Sequence, residues 1–133
     1  MAGPLVYVDT SEVRAGALEE LRRAIDELAE FVEVNLPEVF AYNIYLSDDG
    51  GEMTVVHIHA DSASLEKHLE IGGPVFRRFT DLVALSSIHV YGEPSERALE
   101  QLHAKARALG SGRVVVHARA AGFSRLEPIA TRD

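Results

Sequence analysis

Residues 55–79 read VVHIHADSASLEKHLEIGGPVFRRF, and three of the chain's six histidines, His57, His59 and His68, stand within the first fourteen of them. The run 53–60, MTVVHIHA, is β-branched and alternates with a period of two, so it is expected to form a strand. Asp61 and Ser62 then offer side-chain oxygens as N-caps for a helix beginning near Ala63. Gly72-Gly73-Pro74 is expected to break that helix, since glycine closes one piece and proline suits the first turn of the next, VFRRFTDLV. A strand running straight into a helix, with histidines on both sides of the junction, makes one wall of a pocket.

Working outward, PLVYVD at 4–9 alternates and suggests a first strand. From about Ala15 the apolar positions Leu18, Leu21, Ile25, Leu28 and Val32 keep helical spacing, and Pro37 stops that helix. VFAYNIYL at 39–46 forms a hairpin with 53–60 through SDDGGE, whose glycines supply the positive φ of a tight return. LSSIHVY at 85–91 is a fourth strand. Pro94-Ser95 open a third helix with Leu99, Leu102, Ala106 and Leu109 on one face, Gly110 closes it, and RVVVHAR at 113–119 is a fifth strand. The order β-α-β-β-α-β, then α-β, predicts an α+β fold, a ferredoxin-like βαββαβ core with an additional C-terminal helix and strand. Core strand order would be 4-1-3-2. Residues 1–119 are then one domain, with its core at 4–92 and the added helix and strand at 94–119, and 120–133 form a C-terminal arm.

The chain has 133 residues, enough for one domain with its own core. Its net charge of −8 argues against nucleic acid as a partner. The charge is uneven: 7 basic and 19 acidic residues precede Lys105, and 6 basic and 2 acidic follow from it. Such a basic tail either lies against an acidic surface or is simply solvated. The absence of cysteine excludes disulfides, thiolate metal sites and cysteine nucleophiles. The opening MAGPLVYVD lacks a basic segment followed by an apolar stretch, and no run reaches membrane-spanning length. The expectation is a cytoplasmic protein with no membrane partner.

Strand parity separates two faces. One collects Val6, Val8, Phe40, Tyr42, Ile44, Leu46, Val56, Ile58, Ile88 and Val90. The other collects Tyr7, Asp9, Ala41, Asn43, Tyr45, Val55, His57, His59, Ser87, His89 and Tyr91. Two helices cover one face only, and an open sheet carrying large side chains is an association site, so a homodimer through sheet-on-sheet packing is expected.

From His59-Ala-Asp-Ser-Ala-Ser-Leu-Glu-Lys-His68 to Gly73-Pro74-Val75-Phe76 the chain resembles the antibiotic biosynthesis monooxygenase superfamily, the dimeric α/β-barrel proteins. The resemblance extends over about 90 residues, to Tyr91, and includes Gly16 near the start of the first helix. It implies a pocket between the second helix and the sheet, with the polar face turned toward that helix. It also implies cofactor-independent oxidation of a quinol- or anthrone-like aromatic compound. Haem-degrading members of the superfamily carry an Asn, a Trp and a haem-ligand His where this chain has Asp9, His59 and Thr80, which disfavours haem chemistry. The histidine that many other members carry in the Pro-x-Phe segment is replaced by Val75.

Three readings of the candidate site follow. His57 and His59 lie on one face of one strand, about 7 Å apart at Cβ, and with Asp9 could hold a metal. No Glu-rich complement accompanies them, and the expectation is neither metal nor cofactor. As an acid–base site, His68, His59 or His57 would be the base, with Asp9 orienting it. Asn43, Tyr45 or Tyr7 would hydrogen-bond a developing oxyanion, and Phe76, Tyr91 and His89 would complete the substrate pocket. The third reading is a non-catalytic dimer, binding a small molecule or purely structural, whose histidines and tyrosines are half-buried packing residues. Arg77-Arg78 could steer an acidic ligand or form a solvated helix face. His103 and His117 carry no signal.

Overall fold

The structure, a computed structural model, describes residues 3–110 and 112–126. The elements in chain order are β1 (Leu5–Val13), α1 (Leu18–Asn35), β2 (Ala41–Leu46), β3 (Glu52–His59), α2 (Ser62–Phe76), β4 (Val83–Tyr91), α3 (Glu96–Ala108) and β5 (Arg113–His117). A 3-10 turn over Arg77–Asp81 joins α2 to β4. The sheet order is β2-β3-β1-β4-β5, the expected ferredoxin-like order with β5 added beside β4. The core strands are all antiparallel, whereas β5 runs parallel to β4, as a helical crossover through α3 permits. The expected arm begins within the irregular residues that follow β5, and positions 127–133 lie outside the described residues.

Local chemistry accounts for the turns. Between β2 and β3, Gly50 adopts φ +73°. Asp49 Oδ1 accepts from Gly51 N–H at 2.9 Å, and Ser47 Oγ accepts from Glu52 N–H at 2.9 Å. Asp61 caps α2 by accepting from Ser64 N–H at 3.0 Å, and Ser95 caps α3 by accepting from Ala98 N–H at 3.0 Å. Leu21, Ala24, Leu28 and Val32 of α1, Leu65 of α2, and Leu102 and Ala106 of α3 are buried with Leu5, Met53, Val55, Ile88 and Val90 of the sheet. The helices therefore cover one face. No described helix is long and apolar enough to cross a membrane.

Two expectations are corrected. The first concerns α2, which runs unbroken through Gly72-Gly73-Pro74 to Phe76. Ending a helix at glycine needs a left-handed residue, and neither Gly72 nor Gly73 has positive φ. The helix is held from outside: Ser95 N–H donates to Ser62 Oγ at 2.7 Å, and Ser95 Oγ donates to Glu66 at 2.5 Å. Packing against α3 overrides local propensity. Pro74 withholds a donor from the carbonyl one turn back, and the helix gives way to the 3-10 turn after Phe76.

The second correction concerns the faces. Tyr42, Ile44 and Leu46 pair with His57, Val55 and Met53, and so lie on the helix side. Val90 and Ile88 pair with Tyr7 and Asp9 and lie there too. Asn43, Tyr45, Ser87, His89 and Tyr91 point to the open face, with Val6, Val8, Val56 and Ile58. Parity holds along an unbroken run such as β1 or β3, but a bulge resets it, as at the register shift after Thr10 opposite β4, and the offset between strands depends on loop length. The expected polar face thus holds for β1 and β3 alone.

Candidate functional site

The register that puts Tyr7 opposite His57 brings the polar residues of the two central strands together under the helices. Tyr7, Asp9, His57, His59 and His68 are all buried. The rings of Tyr7 and His57 stack with centroids 4.0 Å apart, and His68, reaching down from α2, lies 4.3 Å from His57. Tyr42 closes the group at 5.2 Å from His57 and 5.4 Å from His68. The three histidines of one sequence stretch do converge.

Two hydrogen-bonded chains run through the cluster. In the first, His59 Nδ1 meets Ser64 Oγ at 2.8 Å, and His59 Nε2 meets His57 Nδ1 at 2.6 Å. The 2.6 Å separation of those last two nitrogens is that of a hydrogen bond between the rings. Among the described residues no group of three or more His, Asp or Glu side chains is arranged to hold a metal. Each neutral ring carries one hydrogen, so the chain has two complementary arrangements. Either Ser64 donates inward and His57 presents Nε2–H, or the bonds reverse and His57 presents a lone pair.

In the second chain Tyr7 O–H donates to Asp9 Oδ2 at 2.5 Å, and Lys105 Nζ donates to Tyr7 Oη at 2.6 Å. Lys105 is also 3.5 Å from Asp9 Oδ2, with side-chain exposures of 11% and 1% for the pair. Lys105 is a cluster residue that charge counting along the chain assigns to a basic tail. The signal was present. Leu102, Lys105 and Leu109 are three and four residues apart, so the lysine stands on the apolar stripe of its helix.

A cleft of about 400 Å³ opens between α2 and α3. His68, Lys105 and Gln101 line it, together with Gly72-Gly73-Pro74 and Phe76. Helix α2 is thin at the two glycines, which leaves room beside His68. Among the described residues, Asp9 Oδ1, Tyr42 Oη, His57 Nε2, His68 Nδ1 and Gln101 Oε1 are buried without a protein hydrogen-bond partner. Each such atom costs about 1–3 kcal/mol unless another polar group reaches it. Asp9, Tyr42 and His57 belong to the buried cluster, and His68 and Gln101 to the cleft wall. Of the expected substrate-binding residues, Phe76 lines the cleft and Tyr7 lies behind it, whereas Asn43, Tyr45, His89 and Tyr91 are on the far side of the sheet. There His89, Tyr91 and His117 stack, with centroids 4.4 Å apart for Tyr91 and His117 and 5.1 Å for His89 and His117.

Burial sets the protonation states. It pushes His57 and His68 well below the usual imidazole range, and the neighbouring histidines and Lys105 add to the effect. His59 is lowered by burial to about 4. Burial raises Asp9 and lowers Lys105, and their mutual attraction opposes both shifts. Tyr7 is raised by burial and by the adjacent carboxylate, Tyr42 by burial.

A βαββαβ core with a polar cluster buried beneath its second helix defines a ferredoxin-like α+β protein with the fold of the antibiotic biosynthesis monooxygenases. MupZ from Pseudomonas fluorescens superposes with a TM-score of 0.72 at 16% identity, over 94% of this chain and 91% of that one. A putative antibiotic biosynthesis monooxygenase from Caulobacter crescentus gives 0.58 at 18% identity, over 71% and 91%. A mutant of SnoaB, a cofactor-independent oxygenase from Streptomyces nogalater, gives 0.59 at 15% identity, over 71% and 96%. At these identities the likeness is one of fold. A match over 94% of 133 residues leaves about eight unmatched, so the MupZ likeness takes in α3 and β5. No protein-family model matches the chain, and no curated protein matches it.

The neutral histidines predict how stability depends on pH. Each has a folded pKa below its unfolded value near 6.5, so the unfolded chain binds more protons as pH falls, and stability is lost from about pH 6.5 downward. Asp9, raised in the fold, works in the opposite sense above its unfolded value, but it is one group against three. Urea unfolding should therefore show stability falling from pH 7 to pH 5, by up to about 1.4 kcal/mol per pH unit for each histidine involved. His68→Gln should flatten that slope. Constant or rising stability toward pH 5 would contradict the neutral cluster.

Proposed function

We propose that the protein is a small oxygenase that oxidises a quinol- or anthrone-like aromatic compound without a cofactor, with His68 as the base. The observation that carries this reading is a neutral, buried His68 lining the cleft between α2 and α3. A neutral imidazole is the form that accepts a proton. For an anthrone-like substrate, His68 removes a proton from the methylene carbon, and the carbanion adds O2 to give a peroxide. The peroxide oxygen takes back the proton, and loss of water leaves a carbonyl. Two C–H bonds and the O–O bond are broken, one oxygen atom stays in the product and the other leaves as water. His57, His59 and Asp9 act as positioning residues behind His68 and Lys105, and Tyr7 orients the Lys105 ammonium. Phe76 supports the flat body of the substrate.

The fold shared with SnoaB supports the reaction class. The test is oxygen uptake with a panel of quinols and anthrones at neutral pH. Wild type should turn over at least one of them, His68→Ala should lower the rate about 100-fold or more, and exposed His103→Ala should not. No turnover across the panel, or equal rates for His68→Ala and wild type, would remove the catalytic role and leave a binding protein.

The open sheet face supports a homodimer. Val6, Val8, Val56 and Ile58 lie there with Tyr45 and Tyr91, which are 49% and 42% exposed in the single chain. A second copy stacked on this face would cover them and give the His89–Tyr91–His117 stack a packing role. Light scattering coupled to size exclusion should give the mass of two chains, and Val56→Glu should give the mass of one. A monomeric wild type would overturn the dimer.

A further inference from the structure

We propose that the cleft between α2 and α3 takes a ligand bearing an anionic oxygen on a flat apolar body, and that Lys105 binds that oxygen. The proposal rests on the same cleft as the oxygenase reading and names the class of compound it accepts.

The geometry of the ammonium carries it. Burying a lysine is costly unless the charge is fully paired, and here the pairing is partial. Its short contact, 2.6 Å, is to a neutral phenol, while the carboxylate of Asp9 is 3.5 Å away and already accepts from Tyr7. Those two contacts use two of the three ammonium hydrogens. Nζ lies 3.8 Å over the Phe76 ring, a face that favours the cation but satisfies no hydrogen bond. Lys105 lines the cleft, so the remaining donor has the cleft before it.

The surroundings define the rest of the ligand. A volume of about 400 Å³ suits a compound of two or three fused rings. Phe76, Leu69, Ala108 and Leu109 supply apolar walls. The charged groups at the rim are Glu70, which is engaged by Arg97 at 3.3 Å, and Arg77. Arg78 points away to pair with Glu27. Gln101, whose amide nitrogen donates to Glu66 O at 3.4 Å, adds a polar stretch of wall. An oxygen held by Lys105 ionises more readily, which suits a base as weak as a buried His68.

The probes are 1-naphthoate and 1-naphthamide, alike in shape and different in charge, measured by calorimetry at pH 7.5. Wild type should bind the carboxylate about ten-fold or more tightly than the amide. Lys105→Met should bring the two within about three-fold, and Lys105→Arg should keep a preference. A third probe, 4-nitrophenol, distinguishes a phenolate from a carboxylate ligand: bound to wild type its phenolate absorbance should appear about one pH unit lower than in solution. A shift supports a phenolate ligand, and carboxylate preference without a shift supports a carboxylate. Because Lys105→Met leaves Asp9 unpaired, Asp9→Asn/Lys105→Met is the fallback should the single variant unfold. Equal binding of naphthoate and naphthamide by wild type, binding of neither, or a preference that survives Lys105→Met would overturn the proposal. Charge preference without turnover refutes only the oxygenase reading, and turnover without charge preference refutes only this one.

Discussion

The 2.6 Å contact between Lys105 Nζ and Tyr7 Oη joins residues 98 positions apart and ties the appended helix α3 to the central strand β1. The site depends on it. With Asp9 it forms a buried charged group that neither element could bury alone, and removing one partner of such a group costs about 3–5 kcal/mol. Lys105 also lines the cleft beside His68. A βαββαβ core without α3 would leave Tyr7 and Asp9 facing solvent. Helix α3 is therefore part of the site and not an ornament on the fold.

Desolvation under the helices holds the three imidazoles below their ordinary range, and the buried Lys105 cation adds to the effect for His57 and His68. The histidines are thus held neutral where exposed ones would titrate. Neutral rings can relay hydrogen bonds in either sense, and the Ser64–His59–His57 chain joins the half-buried start of α2 to the interior. The cluster combines a base at the cleft, a hydrogen-bonded chain behind it and a cation beside it. Such a set is what the proposed proton abstraction requires.

Much of this was legible in the sequence. Alternation over 53–60 and the cap at Asp61 placed the strand-to-helix junction correctly, and the β-α-β-β-α-β order gave the sheet its strand order. Parity within β1 and β3 put Tyr7, Asp9, His57 and His59 on one face, and the family resemblance turned that face toward the helix that carries His68. Beyond one strand parity failed, since the offset of Asn43, Tyr45, His89 and Tyr91 depends on hairpin length and on a bulge in the β1–β4 pairing. Gly72-Gly73-Pro74 suggested a break because local propensity takes no account of the contacts from α3 that hold α2 straight. Lys105 was hidden by counting charge along the chain. Its place between Leu102 and Leu109 on a helical stripe was the mark that composition could not show.

The central claim is that three histidines and a Lys–Tyr–Asp group form one buried cluster behind the cleft. Nitrogen-15 NMR of the imidazole rings across pH tests it most directly. His57, His59 and His68 should remain neutral at pH 6, with His59 reaching its midpoint only near 4. Midpoints near the ordinary value of about 6.5 for these three rings would show them to be solvated, and would contradict the account.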